Sequence, residues 1–155
     1  MLSRSATAAC WGCAVLFLLS GGPVRAGDEV SVSVLVVLAS EDSTEVHPKL
    51  ECIAREVKKR YPLLTGYRLD HVSCKPVRLG KKVTFDLVGG QTATVAFERS
   101  TAKDDRVQMK IRPPRMGEIV YDTACGKFLP IITPFRTRKK ELLIMAVSVR
   151  PCGCK

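Results

Sequence analysis

The pattern of apolar and polar positions predicts a central β-strand near the start of the folded chain. Residues 30–38 first alternate, with Val30, Val32 and Val34 separated by serines, and then become apolar at every position through Leu38. Alternation is the two-residue period of a strand, and an apolar run on both faces is typical of a strand inside a sheet. We therefore expect this segment to lie between two neighbouring strands.

One amphipathic helix is predicted next. Pro48 suits a first helical turn, the basic run 58–60 suits the negative end of the helix dipole, and Pro62 prevents further winding. Between the two prolines, apolar residues recur at the spacing of one helix face, at Leu50, Ile53, Ala54, Val57 and Tyr61. This face is expected to pack on the sheet.

Only strands are predicted after Gly66. Strand patterns cover residues 67–74, 82–87, 92–98, 106–112, 118–125 and 142–149. The last of these is apolar on both faces, which predicts a second central strand, beside the first one. Residues 128–140 are expected to form a long connection, because Pro130 and Pro134 cannot donate ladder hydrogen bonds.

One hairpin can be predicted to the residue. A two-residue turn at the glycine pair 89–90 would place the apolar rows of its two strands on opposite faces. A three-residue loop, 88–90, pairs Phe85 with Ala93 and Val83 with Val95, which buries both rows on one face. We predict this loop, with its last glycine in the left-handed conformation.

The first 26 residues are expected to be a signal peptide. Arg4 precedes a short apolar run, and Val24 and Ala26 supply the small residues that a signal peptidase recognises. The run is too short for a permanent membrane anchor, and no later stretch is long enough to span a bilayer. We therefore expect an exported protein, periplasmic or extracellular.

Together, these elements predict a single α+β domain over residues 27–155, ending in a cysteine-containing tail. Its core is a mainly antiparallel sheet of about seven strands, with the amphipathic helix packed on one face.

Five cysteines remain after residue 26, and an oxidising compartment favours disulfides between them. They are Cys52, Cys74, Cys125, Cys152 and Cys154. Our preferred pairing joins Cys52 to Cys74 and Cys125 to Cys152, which leaves Cys154 free or bonded to another chain. The spacing leaves other connectivities open. The Cys-x-Cys tail could also hold a soft metal ion, but a structural site normally needs four ligands, so disulfides are favoured.

The segment 70–76, DHVSCKP, places a carboxylate, an imidazole and a thiol close together in sequence. In a regular strand, His71 and Cys74 point to opposite faces, which prevents a thiolate–imidazolium pair or a shared metal. The chain also lacks a Gly-x-Ser-x-Gly elbow, a phosphate-binding glycine loop and a His-Glu-x-x-His pair. A non-catalytic protein without a cofactor is therefore expected.

Positive charge is the remaining functional clue. The net charge is +10, or +8 once Arg4 and Arg25 are removed. Two stretches, 72–85 and 123–140, carry cations and no acidic residue. The candidate anion-binding residues in them are Lys75, Arg78, Lys81, Lys82, Arg136, Arg138, Lys139 and Lys140.

Such surfaces attract polyanions, so we expect anionic envelope or extracellular polymers as partners. Nucleic acid is disfavoured by export and by the few aromatic residues available for base stacking. These features favour an exported interaction or structural module. The alternative is a thiol- or metal-dependent protein that uses Cys74, Cys152, Cys154 and a histidine.

Overall fold

Eight strands form two four-stranded sheets in the computed structural model, which describes residues 29–101 and 106–151. The strands are β1 (Glu29–Ser40), β2 (Gly66–Arg78), β3 (Lys82–Asp86), β4 (Thr92–Thr101), β5 (Arg106–Arg112), β6 (Ile119–Ala124), β7 (Leu129–Arg136) and β8 (Leu142–Pro151). The one α-helix of the described residues, α1, spans Glu51–Lys58 and follows a 3-10 turn at Pro48–Leu50. The predicted α+β class is confirmed, but the single seven-stranded sheet is wrong.

Every strand pair in the two sheets is antiparallel. Sheet A has the order β2-β1-β8-β7, and sheet B has the order β3-β4-β5-β6. The sequence could not distinguish one sheet from two, because alternation shows which side of a strand is buried and not which sheet the strand joins.

The molecule has three layers, in the order α1, sheet A and sheet B. Side chains of both sheets meet in one core, which includes Val34 of β1, Phe85 of β3 and Met109 of β5. A second core lies between α1 and the other face of sheet A, where Ile53 and Val57 pack with a group that includes Ile144. Sheet A is therefore buried on both faces, which explains its two fully apolar strands.

Those two strands are β1 and β8, and they are neighbours at the centre of sheet A, as predicted. Their register pairs Val34 with Val147 and Val36 with Met145. All four side chains are buried in the core between the sheets.

Strand β7 replaces part of the predicted connection 128–140. It is an edge strand, and a proline is tolerated there because one side of the strand forms no ladder hydrogen bonds. Pro134 lies within an irregularity of the register between Ile132 and Arg136. There the Thr133 hydroxyl donates to the Leu143 carbonyl at 2.8 Å. The two prolines therefore exclude a central strand at this position, but they do not exclude an edge strand.

The predicted hairpin is confirmed in register and loop length. Phe85 pairs with Ala93 and Val83 pairs with Val95. The loop glycines, Gly89 and Gly90, both have positive φ, at 67° and 69°. The loop therefore has a left-handed glycine at both positions, whereas the sequence predicted this conformation for Gly90 alone.

The helix is shorter than predicted. Leu50, Ile53, Ala54 and Val57 are buried as expected, but α1 ends at Lys58 and Tyr61 is 46% exposed. The chain after the helix forms a turn that carries Tyr61 and Leu63 outward. Both side chains line a cleft beside the end of the helix.

Candidate anion-binding surface

The polar residues of the segment 70–76 lie on β2, and they do not converge. His71 is opposite Val36, whose side chain faces sheet B, whereas Cys74 is opposite Ser33, two positions from the helix-facing Leu35. The His71 imidazole and the Cys74 thiol thus lie on opposite faces of sheet A. This geometry does not form a thiol–imidazole pair.

Each of these groups has its own contacts. The ladder between β1 and β2 skips Asp70, and this bulge lets its carboxylate reach Nδ1 of His71 at 2.8 Å. The other ring nitrogen, Nε2, lies 3.1 Å from the Asp86 carbonyl oxygen on β3. On the opposite face, Cys74 Sγ lies 3.1 Å from Ser33 Oγ.

The first basic stretch divides among three surroundings. Lys75 donates to the Thr84 carbonyl oxygen at 2.6 Å and lies over the Phe85 ring. Arg78 pairs with Glu29 at 3.0 Å. Only Lys81 and Lys82 reach the outer face of sheet B, where they line a cleft.

The cleft on the outer face of sheet B, here called the basic cleft, gathers four cations from three segments. Its volume is about 530 Å³. The cations are Lys81, Lys82, Lys110 and Arg112. Strand register explains their grouping, because Lys82 is opposite Ala96 and Ala96 is opposite Lys110. Two strand spacings place the two lysines roughly 10 Å apart, across a floor with a methyl side chain between them.

Two carboxylates also line the basic cleft. Glu98 lies 3.5 Å from Lys110, and Glu118 lies 3.6 Å from Arg112. Both ion pairs are long and solvent-exposed, so each contributes little to stability. The lining keeps an excess of two positive charges. Sequence reasoning missed Lys110 and Arg112, although both occupy outward positions of the predicted strand 106–112.

The second basic stretch forms a different surface. Phe135 and Arg136 belong to β7, and the expected surface loop is only the turn 137–140. Phe135 is half-buried beneath the Arg115 guanidinium, 5.2 Å from its ring centre. Arg136 lies 3.5 Å from Glu41 and donates to the Lys140 carbonyl oxygen at 3.0 Å. The exposed cations of the turn are Arg138, Lys139 and Lys140.

The turn 137–140 and the segment that leads to the basic cleft lie near opposite ends of β1. The turn precedes Leu142, which pairs with Ala39, whereas the segment leading to the basic cleft follows Arg78, which pairs with Glu29. Along β1, these ends are about 30 Å apart. The eight predicted residues therefore do not form one patch.

The predicted bond between Cys52 and Cys74 is absent. The helix turns Ile53, Ala54 and Val57 toward sheet A, so Cys52 is exposed to solvent. Cys74 instead contacts Ser33 on β1. Cys152 and Cys154 lie outside the described residues, and the bond between Cys125 and Cys152 stays a prediction.

Among the described residues, Glu56 and Tyr67 have shifted pKa values, and neither lines the basic cleft. A hydrogen bond from Lys59, at 2.8 Å, lowers the pKa of Glu56. Burial raises the pKa of Tyr67, whose hydroxyl donates to the Leu64 carbonyl oxygen at 3.0 Å. Tyr67 anchors the chain between α1 and β2, so its shift belongs to the fold.

Within residues 29–101 and 106–151, no group of three or more His, Cys, Asp or Glu side chains is arranged to hold a metal ion. The same residues include no helix with the length and hydrophobicity needed to cross a bilayer. No family model matches the chain, and no curated protein or solved structure is significantly similar to it. What is established is an α+β fold of two antiparallel sheets and one helix, with a basic cleft on one outer face.

Proposed function

We propose that this protein is an exported, non-catalytic module that binds an anionic polymer of the envelope or extracellular space through the basic cleft. The observation that supports this most is the row Lys82–Ala96–Lys110, which places one cation on each side of a small residue. The polymer would carry its carboxylate, phosphate or sulfate groups along this row.

The physical reason is the summed field of convergent cations. A concave surface focuses the field, which raises the local concentration of a polyanion and its association rate. Strands hold the backbone of Lys82, Lys110 and Arg112 in fixed register, so little backbone ordering is needed when the polymer binds. The cations of the turn 137–140 lack such a frame, because three of them follow one another along a single exposed turn.

Retention on immobilised polyphosphate, heparin and poly-glutamate, measured against NaCl, tests the proposal. The cleft variant carries Lys82→Gln, Lys110→Gln and Arg112→Gln. We expect it to lose about tenfold in affinity, since each exposed ion pair contributes about 0.2–1 kcal/mol. Added salt should weaken the wild-type protein more steeply than the variant.

The matched control carries Arg138→Gln, Lys139→Gln and Lys140→Gln, so it loses the same net charge from the turn. We expect at most a twofold loss for this control. Circular dichroism and urea unfolding establish that both variants are folded. Equal losses in the two variants would mean that retention reflects net charge alone, and a larger loss in the control would move the site to the turn. Either result overturns the proposal.

A further inference from the structure

A second cleft lies between the end of α1 and β7, and apolar side chains dominate its walls. We call it the apolar cleft; its walls include Tyr61, Leu63, Met116, Pro134 and Leu142, and its volume is about 750 Å³. Leu63 is 73% exposed, Tyr61 46% and Met116 37%. Grouped exposure of large apolar side chains is unusual on a protein surface and marks binding sites. The volume lies in the range of small-molecule sites.

Positive charge borders this apolar surface. Arg60 and Arg136 both line the cleft, and Glu41 is the single carboxylate among the described residues that line it. Arg136 is held in place by its bond to the Lys140 carbonyl oxygen, while its contact with Glu41 is long, at 3.5 Å. A guanidinium can bind a carboxylate or phosphate through two parallel hydrogen bonds. The cleft thus combines an apolar floor with anion donors.

We propose that the apolar cleft binds a single-chain anionic amphiphile, of the fatty acid class. The acyl chain would cover Leu63, Tyr61 and Met116. The headgroup would contact Arg60 and Arg136 and compete with Glu41 for the second guanidinium. This site is separate from the basic cleft, so the inference does not depend on the proposed function.

Calorimetric titration of the full chain tests the ligand class, with decanoate and decylammonium below their micelle concentrations and decanol below its solubility limit. We expect decanoate to bind, decanol to bind more weakly and decylammonium to bind weakest. The variant Leu63→Gln should weaken decanoate binding about tenfold, because the acyl chain would remove the exposed Leu63 side chain from water. Arg60→Gln should weaken it two- to fivefold, without changing the affinity for decanol.

Val120→Gln and Arg138→Gln are the matched controls, because Val120 is 56% exposed on β6 and Arg138 is exposed in the turn. Neither should change decanoate affinity. Decanoate binding that is absent, that equals decanol binding, or that survives Leu63→Gln overturns the proposal. So does retention on anionic vesicles without binding of monomeric decanoate, which would make the cleft a membrane contact. A change from dimer to monomer as the sole effect of Leu63→Gln would instead make it a contact between copies.

Discussion

The Lys75 ammonium on β2 lies 2.6 Å from the carbonyl oxygen of Thr84 on β3. These strands are edges of different sheets, so a side chain of one sheet caps the open edge of the other. His71 makes a second contact of this kind, with its Nε2 3.1 Å from the Asp86 carbonyl oxygen. Together they occupy backbone acceptors that another strand could use for pairing.

Replacing Lys75 with methionine should therefore have two effects. The variant keeps an apolar stem over Phe85 but loses the donor to Thr84 and the cation above the ring. We expect a loss of about 1–2 kcal/mol in the free energy of unfolding, measured in urea. We also expect concentration-dependent association in sedimentation experiments, because β3 gains an open acceptor. Lys139→Met, on an exposed turn residue, should do neither. A monomeric Lys75→Met protein of unchanged stability would contradict this account.

Alanine substitutions at Gly89 and Gly90 separate the effect of a steric contact from the effect of a positive φ. Both have positive φ, so alanine at either position is strained by about 1–2 kcal/mol. A Cβ on Gly90 meets open space, whereas one on Gly89 would lie 2.6 Å from Cζ of Phe135. Gly89→Ala should thus destabilise the protein more than Gly90→Ala. Urea unfolding of both variants measures the difference, and equal losses would show that the Phe135 ring moves aside freely.

The raised pKa of Tyr67 predicts weaker stability in alkali. Burial favours the neutral phenol in the folded state, so the folded protein keeps its proton at a pH where the unfolded chain loses it. The contribution is complete below the ordinary tyrosine pKa of about 10 and is lost as the pH rises through the higher folded value. Tyr67→Phe should flatten this decline and cost about 1 kcal/mol at neutral pH.

The unfolding free energy of the wild-type protein and of Tyr67→Phe, measured in urea at a series of alkaline pH values, tests this expectation. If the variant shows the wild-type decline, Tyr67 is not the group responsible.

The neighbourhood of Cys125 supports its predicted bond to Cys152. The amide of Gly126 donates to the Val149 carbonyl oxygen at 2.8 Å, so residue 125 lies beside the final residues of β8. Oxidised protein should yield a peptide linking the two cysteines in non-reducing mass mapping. In the chain-entropy model, a loop of this length adds roughly 3–4 kcal/mol to stability.

Substitutions at the tail can separate the pairings. Cys152→Ser should remove that stabilisation, whereas Cys52→Ser, at an exposed helix position, should not. A link from Cys125 to Cys154, or a bond between chains, would show that the wrong partner was predicted.

The local features of this fold could be read from sequence where a single physical rule decides them. The hairpin at residues 88–90 was predictable because a three-residue loop buries Phe85 and Val95 on the same face, whereas a two-residue turn does not. The contacts between β2 and β3 were not predictable, because these strands belong to different sheets and the alternation of apolar and polar residues does not show which sheet a strand joins. Strand β7 was not predicted because proline is tolerated in an edge strand but not in a central one, and the sequence does not show which position Pro130 occupies.

The candidate sites show the same division. Sequence charge runs pointed to Lys81 and Lys82, but the basic cleft also needs Lys110 and Arg112, which occupy outward positions of β5 and lie outside both basic stretches. Only the register through Ala96 brings the two lysines together. The apolar cleft was hidden for another reason. Tyr61 fits the helix periodicity, and its exposure results from the early end of α1.

The placement of β1 beside β8 has a consequence for how the chain acquires its structure. Strands β3 to β6 follow one another as a meander, and each can pair with its predecessor as soon as it is synthesised. Sheet A must wait, because its two middle strands come from opposite ends of the described chain. Closing so long a loop is slow, and until it closes, β1 has an unpaired apolar edge. The nascent protein is thus most prone to aggregation through its first strand, and the arrival of the last strand ends that exposure.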